Sequence, residues 1–263
     1  MNLDGDKQLV TEPRYRAPAL EKGIDILELL AAETEPMTLT AIVKRLGRSH
    51  GELFRMIQVL EQRGYIEQEP GGDGYKVSDR LFSLGMQQPL NRTLLEVALP
   101  VMRQLAEAIG QSCHLAVHSL GEMVIIARIE SPEMLGFSVR VGYRRPLAQS
   151  ASGAVLYAFQ PDDVRRRWEA LFDPPLSPDE LAKFREQANA IRERQFAATP
   201  SRFVVAVTDI SAPVLRGGLA AAALTVPYLK KLNPTMTPKE TAEFIRPAAA
   251  RISSQLIQSD GRI

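Results

Sequence analysis

Apolar residues recur along this chain with two different periods, and the change of period divides it. From Ala19 to Glu33, Leu20, Ile24, Leu27 and Leu30/Ala31 fall at helical spacing. Leu39, Ile42, Val43 and Leu46 make a second apolar stripe. Thr38 opens it as a candidate N-cap, and Gly47 ends it where positive φ costs little. Ser49-His50-Gly51-Glu52 has the spacing of a capping box and starts a third helix. Leu53, Met56, Ile57 and Leu60 give that helix one buried face. Two short alternating runs then flank the Pro-Gly-Gly-Asp-Gly turn at 70–74, a hairpin signal. Helix, turn, helix and β-ribbon in this order predict a winged helix-turn-helix over residues 17–78. Residues 1–16 lack periodicity and are rich in charge, and they read as a mobile tail.

Residues 79–92 read as a linker helix, with Ser78 to Met86 helical and a break at 87–91. Thr93 to Ile109 is a further helix, closed by Gly110. From Ser112 the period becomes two. Strands are expected at Cys113–His118, Glu122–Ile129 and Gly136–Gly142, and later at Phe203–Ile210 and Gly218–Val226. Helices are expected at Gly153–Phe159, Asp162–Leu171, Pro178–Gln195 and from Pro238 to about Gln258. Hairpin strands with covering helices predict an α+β, sensor-type domain over 93–263.

Composition changes this picture little. With 263 residues, a net charge of +1 and 45% hydrophobic content, one large or two modest soluble domains are expected. Met1 to Leu90 carries eleven Lys/Arg against fourteen Asp/Glu, so overall charge does not mark a nucleic-acid binder. The local count does: Lys44, Arg45, Arg48, Arg55 and Arg63 oppose only Glu52 and Glu61 between Thr38 and Ile66. One such face neutralises few phosphates, so a dimer on one duplex is expected. No apolar run approaches the roughly 20 residues that span a bilayer. The first residues lack the basic start and apolar core of a signal peptide, and the single Cys113 forms no internal disulfide, so a cytoplasmic location is expected.

The candidate DNA contacts follow from the third helix. His50, Gly51, Glu52, Phe54, Arg55 and Gln58 lie off its apolar face, and Arg55 is the first choice, because its planar fork matches guanine edges and phosphates. Thr38, Arg48 and Ser49 at the helix starts and Lys76 on the ribbon complete the set. Glu52 reads equally as a partner of cytosine N4 or as a cap, and Phe54 as a thymine-methyl contact or as cover for the core. His114 and His118 share a strand face but lie roughly 13 Å apart, too far to hold one metal ion. Cys113 reads as a small buried hydrophobe, and the Arg144-Arg145 pair as an anion attractor or, more readily, a solvated or interface pair. Three His, one Cys and no Gly-x-Ser-x-Gly elbow or phosphate loop leave little for catalysis. No cofactor is expected, and an enzyme with a DNA-targeting head is the alternative.

The fragments ALEKGIDILELLAAE, RGYIEQ and DGYKVSDRLFSLG, followed by GQSCHLAV, VIIARIESP, GFSVRVGYRRPL, SASGAVLYAF, DISAPV and AALTVPYL, resemble the IclR family of bacterial transcription regulators over nearly the whole chain. The resemblance implies a GAF-like effector domain that binds a small organic acid or aromatic metabolite. It also implies dimers or tetramers that repress or activate nearby genes, with repression the first expectation. The chain departs from the family at Gly51-Glu52, where many members carry a Ser-Thr or Thr-Thr pair. The implied effector pocket forms around Ser150, Ser152, Gly153 and Ala154, with Ala206, Thr208, Ala223 and Thr225 on the last two strands. A Ser- and Gly-containing helix start leaves N–H groups free for a carboxylate. Ser150 and Ser152 read equally as caps, and Thr208 and Thr225 as ordinary strand residues.

Overall fold

The computed structural model describes residues 17–86, 89–232 and 236–260. The expected tail at 1–16 lies outside the described residues, as do Gln87 and Gln88 of the expected break. The chain divides into two compact units, residues 1–88 and 89–263.

In the first unit, helix α1 (Pro18–Ala32) precedes a two-residue strand β1 (Met37–Thr38), helices α2 (Leu39–Leu46) and α3 (His50–Gln62), the ribbon β2 (Ile66–Gln68) and β3 (Gly74–Val77), and helix α4 (Arg80–Met86). Thr38 caps α2 by accepting from the Ala41 N–H at 3.2 Å, and Gly47 ends it at φ 62°. Ile26, Leu30, Ile42, Leu53, Ile57 and Ile66 form the core. The face of α1 differs from the expected one: Gly23, Ile26 and Leu30 turn inward, while Leu20 and Ile24 are exposed. This helix is apolar in two overlapping phases, and packing against α3 selects the second. β1 was not anticipated; it adds to the ribbon through Met37↔Tyr75 and Thr38↔Gly74.

In the second unit, helix α5 (Pro89–Ile109) leads into strands β4 (Cys113–Ser119), β5 (Glu122–Ile129) and β6 (Arg144–Pro146), helices α6 (Ala151–Ala158), α7 (Asp162–Glu169) and α8 (Pro178–Arg194), strands β7 (Ala197–Pro200), β8 (Val207–Arg216) and β9 (Leu219–Leu229), and helix α9 (Pro238–Asp260). The helix expected from Thr93 begins earlier, with Pro89 at its first position, where a missing N–H costs nothing. The strands form one antiparallel sheet in the order β6-β5-β4-β9-β8-β7. Alternation sends Leu115, Val214, Leu224 and Val226 toward α5 and α9. Ala116, Ile125 and Ala223 pack on the other side with α6 and α8. The unit is thus α+β, a sheet with helices on both faces, as the sequence predicts.

Two expected strands are displaced. Residues 136–142 follow β5 without forming a strand, joined to it through Ile125, which donates to the Tyr143 carbonyl and accepts from the Gly142 N–H. The edge strand instead starts at Arg144. The strand expected from Phe203 starts at Val207, because Ala206 adopts φ 67° and turns the chain. The sheet's last edge is β7, which falls between the helix expected to end at Gln195 and the strand expected from Phe203, where no element is expected.

Helix α6 is buried along its whole length. A Cβ at Gly153 would stand 2.3 Å from the Leu147 carbonyl oxygen and 2.6 Å from its Cα. Gly153 is therefore needed by the packing of α6 on the preceding turn. Gly153→Ala is expected to destabilise the second unit by about 1–3 kcal/mol through overpacking, read as a lowered urea midpoint with unchanged slope.

Candidate DNA interface and effector cavity

The exposed side of α3 presents His50, Gly51, Glu52, Phe54, Arg55 and Gln58, while Leu53 and Ile57 are buried. The rings of His50 and Phe54 stack 6.2 Å apart. Not all candidates are equally available. The Glu52 carboxylate accepts from Lys22 Nζ at 2.6 Å, from the Ser49 N–H at 3.2 Å and from the Ser49 hydroxyl at 2.8 Å. Lys22 and then Ser49 hold its pKa down at about 2. Glu52 thus caps α3 and braces it against α1. Arg48 faces Asp25 at 3.6 Å, Arg45 meets Glu33 at 3.2 Å, and Lys76 pairs with Glu67 across the ribbon at 3.1 Å. Thr38 is used as a cap. Among the described residues, Arg55, Lys44 and Arg63 have no ion-pair partner. The positions left open to a ligand on α3 are His50, Gly51, Phe54, Arg55 and Gln58.

The second unit contains a cavity of about 280 Å³ against the α6 side of the sheet. Met123 and Ile125 of β5 and Phe137, Val139 and Tyr143 of the following segment give it apolar walls. Ser150, Ser152 and Thr225, three of the residues the resemblance implies for an effector, line it together with Ser201, Phe203 and Val204 from the turn before β8. Ser150 also caps α6, accepting from the Gly153 N–H at 3.1 Å, and Thr225 is hydrogen-bonded to Ser211 at 2.8 Å.

Besides Tyr143 and the exposed Arg140, three charged or titratable groups line this cavity: His114, Asp209 and Arg145. His114 is buried, and its Nδ1 is the only buried side-chain polar atom without a hydrogen-bond partner among the described residues. Burial lowers its pKa to about 4, so the ring is neutral at pH 7. Burial raises Asp209 to about 6, against the opposing hydrogen bond from Ser201. The Arg145 guanidinium lies 3.9 Å from the centre of the Phe203 ring and 5.2 Å from that of Tyr143, and its Nε donates to the Tyr143 hydroxyl. Among the described residues Arg145 has no acidic partner. A larger, more open groove of about 560 Å³ runs between β8 and α9, but the charged residues lining it, Glu243 and Arg246, are exposed.

The other expected effector residues lie elsewhere. Ala154 and Ala223 are sealed in the core, and Gly153 packs on Leu147. Ala206 is exposed in the turn before β8, and Thr208 falls outside the cavity, next to Asp209, which lines it. The physical reason is register: residues on opposite sides of a strand alternate, so a one-residue offset on β8 selects the wrong face. His114, Asp209 and Arg145 were not among the expected effector residues, and a correct phase for β8 would have found Asp209.

Two family models match the chain: the IclR helix-turn-helix domain over residues 19–70, and the bacterial transcriptional regulator IclR C-terminal domain over residues 88–254. The HTH-type transcriptional regulator KdgR of Escherichia coli K12 is 27% identical over 261 residues, covering 97% of each chain. The glycerol operon regulatory protein of Streptomyces griseus is 27% identical over 245 residues, covering 90% of this chain and 96% of its own. Among solved structures, an IclR homolog complexed with 4-hydroxybenzoate, from Microbacterium hydrocarbonoxydans, superposes with a TM-score of 0.76 at 23% identity. That match covers 90% of this chain and 98% of the other, and at this identity it speaks for the fold.

Asp209 allows a signed test. Its folded pKa, about 6, lies above its ordinary 3.8, so ionisation costs the folded state stability as pH rises through this window. Asp209→Asn is expected to be more stable than the wild type by about 2 kcal/mol at pH 7. The gain should vanish below about pH 4, where the wild-type carboxyl is protonated both folded and unfolded. Urea melts of both proteins across pH 4–8 measure it.

Proposed function

Because the chain belongs to the IclR family of bacterial transcriptional regulators, we propose that it is a repressor whose operator binding is set by a small organic acid or aromatic metabolite in the 280 Å³ cavity. The observation that carries this reading is the cavity's combination of apolar walls with an acid-free, half-buried Arg145 and a buried, unpartnered His114. Such a site suits a small anion with an apolar body. The bound 4-hydroxybenzoate of the Microbacterium homolog is of the same chemical class. The protein acts without turnover or cofactor.

Operator reading falls to the exposed side of α3, with Arg55 as the principal side chain and His50, Gly51, Phe54 and Gln58 beside it. Glu52, Ser49 and Thr38 position the helix, and Arg48 and Lys76 contribute to phosphates by exchanging an intramolecular carboxylate for DNA. The active form is a dimer or a pair of dimers. The exposed apolar side chains Leu20 and Ile24 of α1 and Phe82 of α4 support a second copy in the first unit. No helix among the described residues is long and apolar enough to cross a membrane. The working location is the cytoplasm.

Fluorescence anisotropy on the DNA upstream of the chain's own gene, against scrambled DNA and across a salt series, tests the regulator reading. Selective binding is expected, with Arg55→Ala weakening it by about 1–3 kcal/mol and Lys76→Ala by much less. Equal affinity of the wild type for both DNAs would sink it.

A further inference from the structure

We propose that His114 and Asp209 make the floor of the cavity selective for carboxylic acids that also carry a hydroxyl remote from the carboxylate, with Arg145 holding the carboxylate. This rests on reading the cavity as the effector site. Three observations carry it. The first is the orphaned Nδ1 of His114: a buried polar atom with no partner costs stability, and the molecule tolerates it at only this position among the described residues. The second is position. His114 on β4 pairs with Thr225 on β9, which pairs with Ser211 on β8, two residues from Asp209 on the same face. Thr225 and Ser211 satisfy each other. The two outer groups, His114 and Asp209, stand two strand spacings across and two residues along from each other, roughly 12 Å between backbones, and both line the cavity. The third is position in the sheet: Arg145 stands on the edge strand β6, with β5, β4 and β9 between it and β8, which carries Asp209. A ligand that carries only a carboxylate satisfies Arg145 and leaves the floor unpaired. A hydroxyl can donate to the Asp209 carboxylate, and it can donate to or accept from the neutral imidazole.

Isothermal titration of the full-length protein with matched pairs, 4-hydroxybenzoate against benzoate and 4-hydroxybutyrate against butyrate, tests this. The hydroxylated member of at least one pair is expected to bind about tenfold tighter or more, because a site built for a hydroxyl penalises its absence. In His114→Leu and Asp209→Ala that ratio should fall toward one. The melting temperature of ligand-free His114→Leu should not fall, since leucine removes an unsatisfied polar atom. Binding of acids with no preference for the hydroxyl would overturn the inference while leaving the cavity an effector site. A preference that survives both substitutions, or a His114→Leu protein that loses stability and keeps the preference, would overturn it as well. Binding of none of the four acids would overturn both the inference and the effector reading beneath it.

Discussion

The sheet of the second unit has two faces that are covered unequally, and the site depends on that inequality. On one face the long helices α5 and α9 bury Leu115, Val214, Leu224 and Val226. On the other, α6 is only eight residues long. At 1.5 Å per residue it covers about 12 Å, whereas six strands spaced ~4.8 Å apart are about 24 Å across. Small residues at its start, Ala151, Ser152, Gly153 and Ala154, let it lie close, and Gly153 has no space even for a methyl group. What α6 leaves open is walled by Phe137, Val139 and Tyr143 on one side and by Ser201, Phe203 and Val204 on the other. Arg145, stacked on both Tyr143 and Phe203, ties these two walls together.

The first unit follows a different logic. Half of its described cations are paired within the unit: Lys22 to Glu52, Arg45 to Glu33, Arg48 to Asp25, Lys76 to Glu67. Exposed pairs of this kind contribute little stability, but they fix where α3 lies relative to α1 and leave Arg55 among the few uncommitted charges. Phosphate neutralisation scales with the number of free cations. A single head of this composition is therefore a weak binder, and the affinity of a regulator built from it depends on placing two heads on one duplex.

The helical elements were the most legible in the sequence. Thr38, Gly47 and the Ser49–Glu52 box state the limits of α2 and α3 in local chemistry, and the structure uses each of them. The α+β organisation was equally open to reading, since a shift from helical to alternating periodicity survives without tertiary context. What failed was phase. In α1 two apolar stripes overlap, and only contact with α3 decides between them. In β8 the positive φ of Ala206 delays the strand to Val207, and Ala206 and Thr208, which the family resemblance implies as pocket residues, fall outside the cavity that Asp209 lines. His114 reads in the sequence only as half of a histidine pair too widely spaced to share a metal ion, and the burial of its ring without a partner is a tertiary fact that no local pattern carries. Arg145 was read as solvated, because its stacking on Phe203, distant in sequence, is a tertiary contact.

The central claim is that occupancy of this cavity controls DNA binding. The most direct measurement is the operator affinity of the wild-type protein, by anisotropy at fixed salt, with and without the acid that binds it most tightly. A shift of about fivefold or more in that affinity is expected, within the usual range of coupling between sites, and no shift for the same acid with Arg145→Ala. An acid that fills the cavity and leaves operator affinity unchanged would contradict it.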